Sequence, residues 1–400
     1  MRMNTKERVI ELAKYAYLHV PFYHDLYKKN GIVPYDGMNI EELPIVKKID
    51  IVKNASLMIS DMYRMDELEQ SYTSGTSGLQ VSTYNTKEEQ IERALILWKE
   101  REKNCPHIMK ENKVIFHDGG MAQLPVMFQD GMLYLSKENL CDQTFHSYIE
   151  ELNKYQPGFL RCNSSVLFEF MRYMQRTSQR LNYDIKYIEL AGEFVPDNVY
   201  KSICEFFDQT VVINYYGAYE FYSIAHGCKN NHLHETEESV YVEVINPDEN
   251  GFGNYIITSL INRAMPLIRY DIGDIGNIVE NTCDCGKKGR ILNIQSGRTC
   301  EFYQDINKKV PAYFFARMLM DYADVIDSNF LVQFHVIQSR IDLLEYYIEV
   351  NTPISEDALT EFLKEKINKH LNRHTDVKVF VVEDMAKWVT SHKYKMYDFM

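Results

Sequence analysis

The feature that most constrains this chain is an alternation between residues 86 and 214. Short β-branched apolar runs at 114–116, 187–190 and 211–214 are separated by helix-periodic stretches at 144–154, 164–181 and 197–207. Parallel strands need long crossovers, usually helices, so this pattern predicts α/β layers with at least one parallel sheet. Another helix is expected at 86–104, with Thr86 as its N-cap. An amphipathic stretch at 5–30 carries Val9, Leu12, Ala13, Tyr17 and Val20 at helical spacing and is broken by Pro21. From about 239 the texture becomes strand–turn–strand around Pro247-Asp248-Glu249-Asn250-Gly251, the mark of an antiparallel β-subdomain. Beyond 300, a helix (311–324), strands (329–338 and 343–350), a helix opened by Ser355 (355–371) and a strand (377–382) make a small α+β unit. The chain's 400 residues exceed the roughly 250–300 at which one core stops growing. Two domains are therefore expected, 1–299 and 300–400, with the boundary near 297–301.

Charge and cysteine content narrow the partners. With 44 Lys and Arg against 57 Asp and Glu, the net charge of −13 opposes a nucleic-acid partner. No apolar run approaches the ~18 residues of a membrane helix. The beginning of the chain is charged and helix-periodic without an apolar signal-peptide region, so a cytoplasmic location is expected, with no membrane partner. Eight cysteines in such a chain read as thiols or metal ligands. Cys228, His232 or His234, Cys283 and Cys285 offer a Cys3His set for structural Zn2+.

The sharpest local feature is Ser71-Tyr72-Thr73-Ser74-Gly75-Thr76-Ser77-Gly78. Glycines let successive backbone N–H groups turn inward, and hydroxyls add donors that enclose phosphate oxygens. It is not a Walker A sequence, because no Lys-Ser/Thr follows Gly78. This loop resembles the phosphate loop of the adenylate-forming superfamily: acyl-CoA synthetases, peptide-synthetase adenylation domains and luciferases. Further segments resemble that family's motifs in its order. They are Asn214-Tyr215-Tyr216-Gly217-Ala218-Tyr219-Glu220, then Tyr270-Asp271-Ile272-Gly273-Asp274, Gly297-Arg298, and Ser391-His392-Lys393. Val20-Pro21-Phe22-Tyr23, Leu43-Pro44-Ile45-Val46, Ala191-Gly192-Glu193, Cys228 with Leu233-His234, and Cys283-Asp284-Cys285-Gly286 are similar to the phenylacetate–CoA ligase branch.

The resemblance implies a large N-terminal lobe of α/β layers plus a β-subdomain, and a small mobile α+β C-terminal domain. It implies an ATP-dependent ligase that turns a carboxylic acid, aromatic by branch, into an acyl-adenylate and then a thioester. The acceptor thiol would be coenzyme A or a carrier-protein phosphopantetheine. Thr73, Ser74, Gly75, Thr76, Ser77 and Gly78 would hold phosphates, Glu220 the Mg2+, Asp274 the ribose, and Arg298 the nucleotide near the hinge. Glu193, Asn214, Tyr215, Tyr216 and Gly217 would complete the nucleotide site, and Phe116, Ala191, Gly192, Tyr215 and Ala218 the acid pocket. Lys393, with Lys395 in competition, would carry positive charge to the reacting groups. His234 becomes the preferred histidine for zinc. The sequence departs from the pattern at Leu79-Gln80, Tyr219, Asp271, Thr299-Cys300-Glu301 and His392. An amine acceptor and a catalytically degraded nucleotide-binding protein therefore stay open as alternatives. A homodimer is the default assembly.

Overall fold

The computed structural model describes residues 4–72, 81–117, 125–137, 140–296, 302–304, 309–311, 318–319, 321–322, 331–350, 352–371, 373–382 and 397–399. The chain opens with helices α1 (Thr5–His19), α2 (Pro21–Lys29) and α3 (Lys48–Asn54). Val20 is extended and Pro21 occupies the first turn of α2, where its missing N–H costs nothing. Strands β1 (Glu69–Tyr72) and β2 (Ser82–Asn85) follow as an antiparallel pair, one on each side of the Ser/Thr/Gly segment in the sequence. Residues 73–78 themselves lie outside the described residues.

Next come α4 (Lys87–Asn104), β3 (Lys113–His117), β4 (Val126–Gln129), β5 (Met132–Ser136), α5 (Asp142–Tyr155), β6 (Phe159–Cys162), α6 (Ser164–Thr177), β7 (Tyr187–Ala191), α7 (Asp197–Phe206) and β8 (Val211–Tyr216). Strands β3, β5, β6, β7 and β8 are mutually parallel, as the alternation predicts. Helix α6 is shorter than the expected 164–181, because Ser178 adopts a left-handed conformation that ends it. Alternate residues of the central strands serve two faces. Leu160, Cys162, Ile188, Leu190 and Val212 pack under α5–α7, whereas Phe159, Tyr187, Ile213, Ala191 and Tyr215 pack toward α4.

The β-subdomain comprises β9 (Ala225–Gly227), β10 (Leu233–Glu235), β11 (Val240–Ile245), β12 (Gly253–Ser259), β13 (Tyr270–Thr282) and β14 (Lys288–Ser296). It is continuous with the parallel strands, not a sheet apart. The antiparallel pairing of β8 with β9 joins them into one twelve-stranded sheet among the described residues. Helices α1 and α2 cover its β11–β13 face, with Tyr23 and Tyr27 fully buried.

The remaining strands are β15 (Phe302–Gln304), β16 (Lys309–Pro311), β17 (Leu331–Arg340), β18 (Leu343–Val350), β19 (Asp376–Val381) and β20 (Tyr397–Phe399), with α8 (Glu356–Leu371) before β19. β17–β20 form a separate four-stranded sheet with its own core, including Val336, Tyr346, Leu359 and Leu363. Ser355 opens α8 by accepting the Ala358 N–H at 3.2 Å. The expected helix at 311–324 lies largely outside the described residues. No described helix is long and apolar enough to cross a membrane.

Candidate functional site

The carboxyl ends of β7 and β8 lie side by side, with Ala191 opposite Tyr215. In open parallel sheets, ligands bind in the crevice beyond these ends. After β7 the chain turns sharply at Gly192 (φ +89°), where a Cβ would also press against the Asn163 amide at 3.1 Å. The next residue, Glu193, is half-buried and turns back onto the start of α6. Its carboxylate accepts from Ser164 Oγ (2.7 Å), Ser165 N–H (2.6 Å) and Ser165 Oγ (3.0 Å). Burial raises its pKa, and these donors from the helix start oppose that rise. Glu193, expected at the nucleotide, therefore spends both oxygens holding the β7–α7 turn to α6. Phe116, expected in the acid pocket, lies instead in the core beneath α5 and α6, edge-on to Tyr148 at 5.9 Å.

After β8, residues 217–224 close a hairpin onto β9. Tyr215 OH donates to the Tyr222 carbonyl, and Tyr222 N–H donates to Ala218 O at 2.6 Å. A Cβ at Gly217 would collide with that same carbonyl, so only glycine lets the loop fold this tightly. Phe221 is driven into the core against Tyr270, with ring centroids 5.9 Å apart, which carries the adjacent Glu220 inward. Tyr270 OH points at Glu220 Oε1 from 3.5 Å, a weak contact. Tyr216 OH donates to Asp274 Oδ2 at 2.5 Å. Burial, followed by the Asp274 charge, pushes the Tyr216 phenol well above its ordinary pKa, so it stays a donor. Two motifs 58 residues apart thus meet, placing buried carboxylates Glu220 and Asp274 among Tyr216 and Tyr270. Asn214 is half-buried on β8 and Ala218 half-buried in the loop.

Tyr270 is fixed from below. Val46 bridges to it, donating to Arg269 O at 3.0 Å and accepting from Asp271 N at 2.9 Å. Arg269 is buried, pairs with Glu243 at 3.0 Å and donates to the carbonyls of Glu41 and Leu43. The Leu43-Pro44-Ile45-Val46 segment is therefore a staple for the Tyr270–Asp274 strand. The β1–β2 pair flanking the Ser/Thr/Gly segment is likewise anchored, because Asn262 Nδ2 donates to Tyr84 O and Asn85 Oδ1, both at 3.0 Å.

Beneath the strand ends runs a charged layer that the sequence reading missed. Glu189 on β7 is fully buried and accepts from Arg101 Nε and Nη2, both at 2.7 Å. Arg161 lies 3.5 Å and His226 3.7 Å from it. Arg161 also stands 5.0 Å over the Tyr215 ring, which ties this layer to the site above. The signal was present in α4: Glu89, Arg93, Leu97 and Arg101, at spacing four, are its buried face. Charges at that spacing ordinarily read as a solvated helix face.

The expected metal ligands do converge. Cys228, His234, Cys283 and Cys285 offer atoms all within 4.8 Å of one another. Cys228 lies in the 228–232 turn between β9 and β10, His234 on β10 itself, and Cys283 and Cys285 in the 283–287 turn between β13 and β14. Cys228 and Cys283 sulfurs are 3.8 Å apart, and Cys285 Sγ is 3.4 Å from His234 Nε2. Zn–S bonds of about 2.3 Å at tetrahedral angles separate two sulfurs by about 3.8 Å, so the spacing fits. Burial first, then Lys287, brings the His234 pKa down to about 4, leaving a neutral imidazole able to ligate. His232 Nδ1, the open alternative, is 3.1 Å from Cys283 Sγ. Burial works against the Cys283 thiolate, but hydrogen bonds from Cys285 N–H and His232 outweigh it and lower its pKa to about 6.

No protein-family model matches the chain. A phenylacetate–coenzyme A ligase of Thermus thermophilus is 24% identical, with 92% of this chain and 85% of the relative covered. Protein CapK of Staphylococcus aureus is 22% identical, covering 92% and 83%. Among solved structures, a 2-hydroxyisobutyryl-CoA ligase in its postadenylation state superposes with a TM-score of 0.74 at 15% identity, over 99% of this chain and 89% of that one. The chain is similar to members of the adenylate-forming superfamily, and its relatives include a phenylacetate–CoA ligase. The large mixed sheet and the small four-stranded unit are that superfamily's fold. Arg298, Lys393 and Lys395 lie outside the described residues.

Proposed function

We propose that this chain is an ATP-dependent acid–thiol ligase. The acid's carboxylate oxygen attacks the α-phosphorus of ATP and pyrophosphate leaves. A thiol sulfur, of coenzyme A or a carrier phosphopantetheine, then attacks the acyl-adenylate carbonyl, and AMP leaves with the electron pair. The observation that carries this reading is the meeting of Tyr216, Glu220 and Asp274 beyond β7 and β8, in a chain whose relatives include a phenylacetate–coenzyme A ligase. The aromatic character of the acid rests on that relative alone.

Each group has work suited to its chemistry. Asp274, oriented by Tyr216, accepts hydrogen bonds from the ribose hydroxyls. Glu220 offers the carboxylate oxygens that a hard cation prefers, and Mg2+ held there would neutralise phosphate charge. Residues 73–78 cradle the β- and γ-phosphates, and Arg298 contacts the nucleotide. Domains 1–299 and 300–400 divide the labour, the second delivering Lys393 to the carboxylate and α-phosphate. A compact ammonium on a flexible stem suits a charge that is delivered and withdrawn. Cys228, His234, Cys283 and Cys285 hold one structural Zn2+ that pins the two turns together.

ATP–pyrophosphate exchange with a panel of acids tests the first half-reaction, and coenzyme A, a carrier or an amine added in turn tests the second. Exchange should appear with at least one acid and fall about 100-fold or more in Lys393→Ala, the scale of lost transition-state electrostatics. Full exchange in that variant, with loss in Lys395→Ala, would move the role to Lys395. ATP binding without exchange for any acid would favour the degraded nucleotide-binding protein.

A further inference from the structure

Three charges line the buried face of α4, and two are fully accounted for. Glu89 accepts from the N–H groups of Arg263 (2.6 Å), Ala264 (3.1 Å) and Thr86 (2.8 Å). Arg101 is matched by Glu189. Arg93 is different. It is only 4% exposed, yet its guanidinium makes a single hydrogen bond among the described residues, to Ser259 Oγ at a long 3.4 Å. No described carboxylate forms an ion pair with it within 4.0 Å. Burial pulls its pKa down to about 10, with Glu89 and then Tyr222 resisting. Five donors in a fork, nearly dehydrated and holding one hydroxyl, are a costly arrangement unless something else takes them.

Its position says what that could be. Helix α4 runs so that Cys105 lies by the strand starts, Leu97 by Ala191 and Tyr215 at the strand ends, and Arg93 one turn farther on. One turn is about 5.4 Å, which carries Arg93 past the carboxyl ends of β7 and β8. There it faces Ser259 and the Tyr222 end of the loop that bears Glu220. We infer that Arg93 is a specificity-determining residue whose guanidinium docks a carboxylate of the acid substrate. The planar fork matches the two carboxylate oxygens, which lysine cannot reproduce. This rests on the acid-activating function above and names the group that selects the acid.

The test uses Arg93→Met and Arg93→Lys in the full chain, with benzoate, phenylacetate, succinate and phthalate as probes. In exchange assays the KM for the preferred acid should rise about 10- to 150-fold in Arg93→Met, the range for a lost hydrogen bond to a charged group. The KM for ATP should stay within about threefold, and Arg93→Lys should recover part of the loss. A monocarboxylate as preferred acid assigns Arg93 to the reacting carboxylate, and a dicarboxylate assigns it to the second one. Melting temperature separates this from a structural role, because removing a buried charge with no ion pair among the described residues should hold or raise it, whereas a structural cation would lower it. Stabilisation of the ATP-free protein by millimolar acid provides a readout independent of catalysis. If wild type is stabilised but shows no exchange, the ligase reading fails while the Arg93 assignment is judged by loss of stabilisation in Arg93→Met. An acid KM or stabilisation unchanged in Arg93→Met overturns the assignment, as does a wild type that responds to no acid in either assay.

Discussion

Glu189→Gln should destabilise the large lobe severely. The carboxylate is fully buried and the Arg101 side chain is 5% exposed, so water cannot replace what is lost. Breaking a buried pair by removing one charge costs about 3–5 kcal/mol. Glutamine keeps one acceptor oxygen for Arg101, which favours the lower end, near 3 kcal/mol. At about 2–4 °C per kcal/mol for a sizeable domain, the melting temperature should fall by roughly 6–12 °C at neutral pH. The double variant Glu189→Leu, Arg101→Leu, which removes both charges, should recover part of that loss. The pH dependence adds a second check. Burial by itself would raise the Glu189 pKa, but Arg101, His226 and Arg161 together hold it far below the ordinary 4.5. A depressed carboxylate contributes its stability above the unfolded value and loses it as pH falls toward the folded one. Wild type should therefore lose stability below about pH 4.5 more steeply than Glu189→Gln. Thermal and urea unfolding followed by circular dichroism measure both effects. A neutral-pH shift under about 2 °C would refute the argument that this pair is desolvated and mutually dependent.

Tyr216→Phe should raise the KM for ATP about 10-fold or more while leaving the acid KM nearly unchanged, since it removes the donor that orients Asp274; steady-state exchange kinetics decide it. Native mass spectrometry should find one zinc per chain, lost in Cys283→Ser together with several degrees of melting temperature. A metal-free wild type of full stability would end the zinc assignment.

The parallel core was legible because its physics is local. β-Branched runs and helical periodicity each span a few residues, and Thr86 and Ser355 announce their helices through side-chain acceptors within one turn. The convergence of Cys228, His234, Cys283 and Cys285 was legible for a related reason: two short turns and the adjoining strand β10 carry their geometry. The role of Glu193 was not, because its partners are Ser164 and Ser165, 28 or 29 residues away.

By itself, the sequence determined the strand–helix alternation around 114–116, 187–190 and 211–214, the strand texture after 239, and the motif residues Tyr216, Glu220 and Asp274. Tertiary structure alone decided that the β-subdomain continues the parallel sheet, and that Phe116 belongs to the core. It also decided that a helix face of Glu89, Arg93, Leu97 and Arg101 points inward. Local patterns register hydrophobicity and backbone preference along the chain. Whether a charge is buried depends on the countercharge that packing brings from elsewhere, and Glu189 reaches Arg101 across 88 residues.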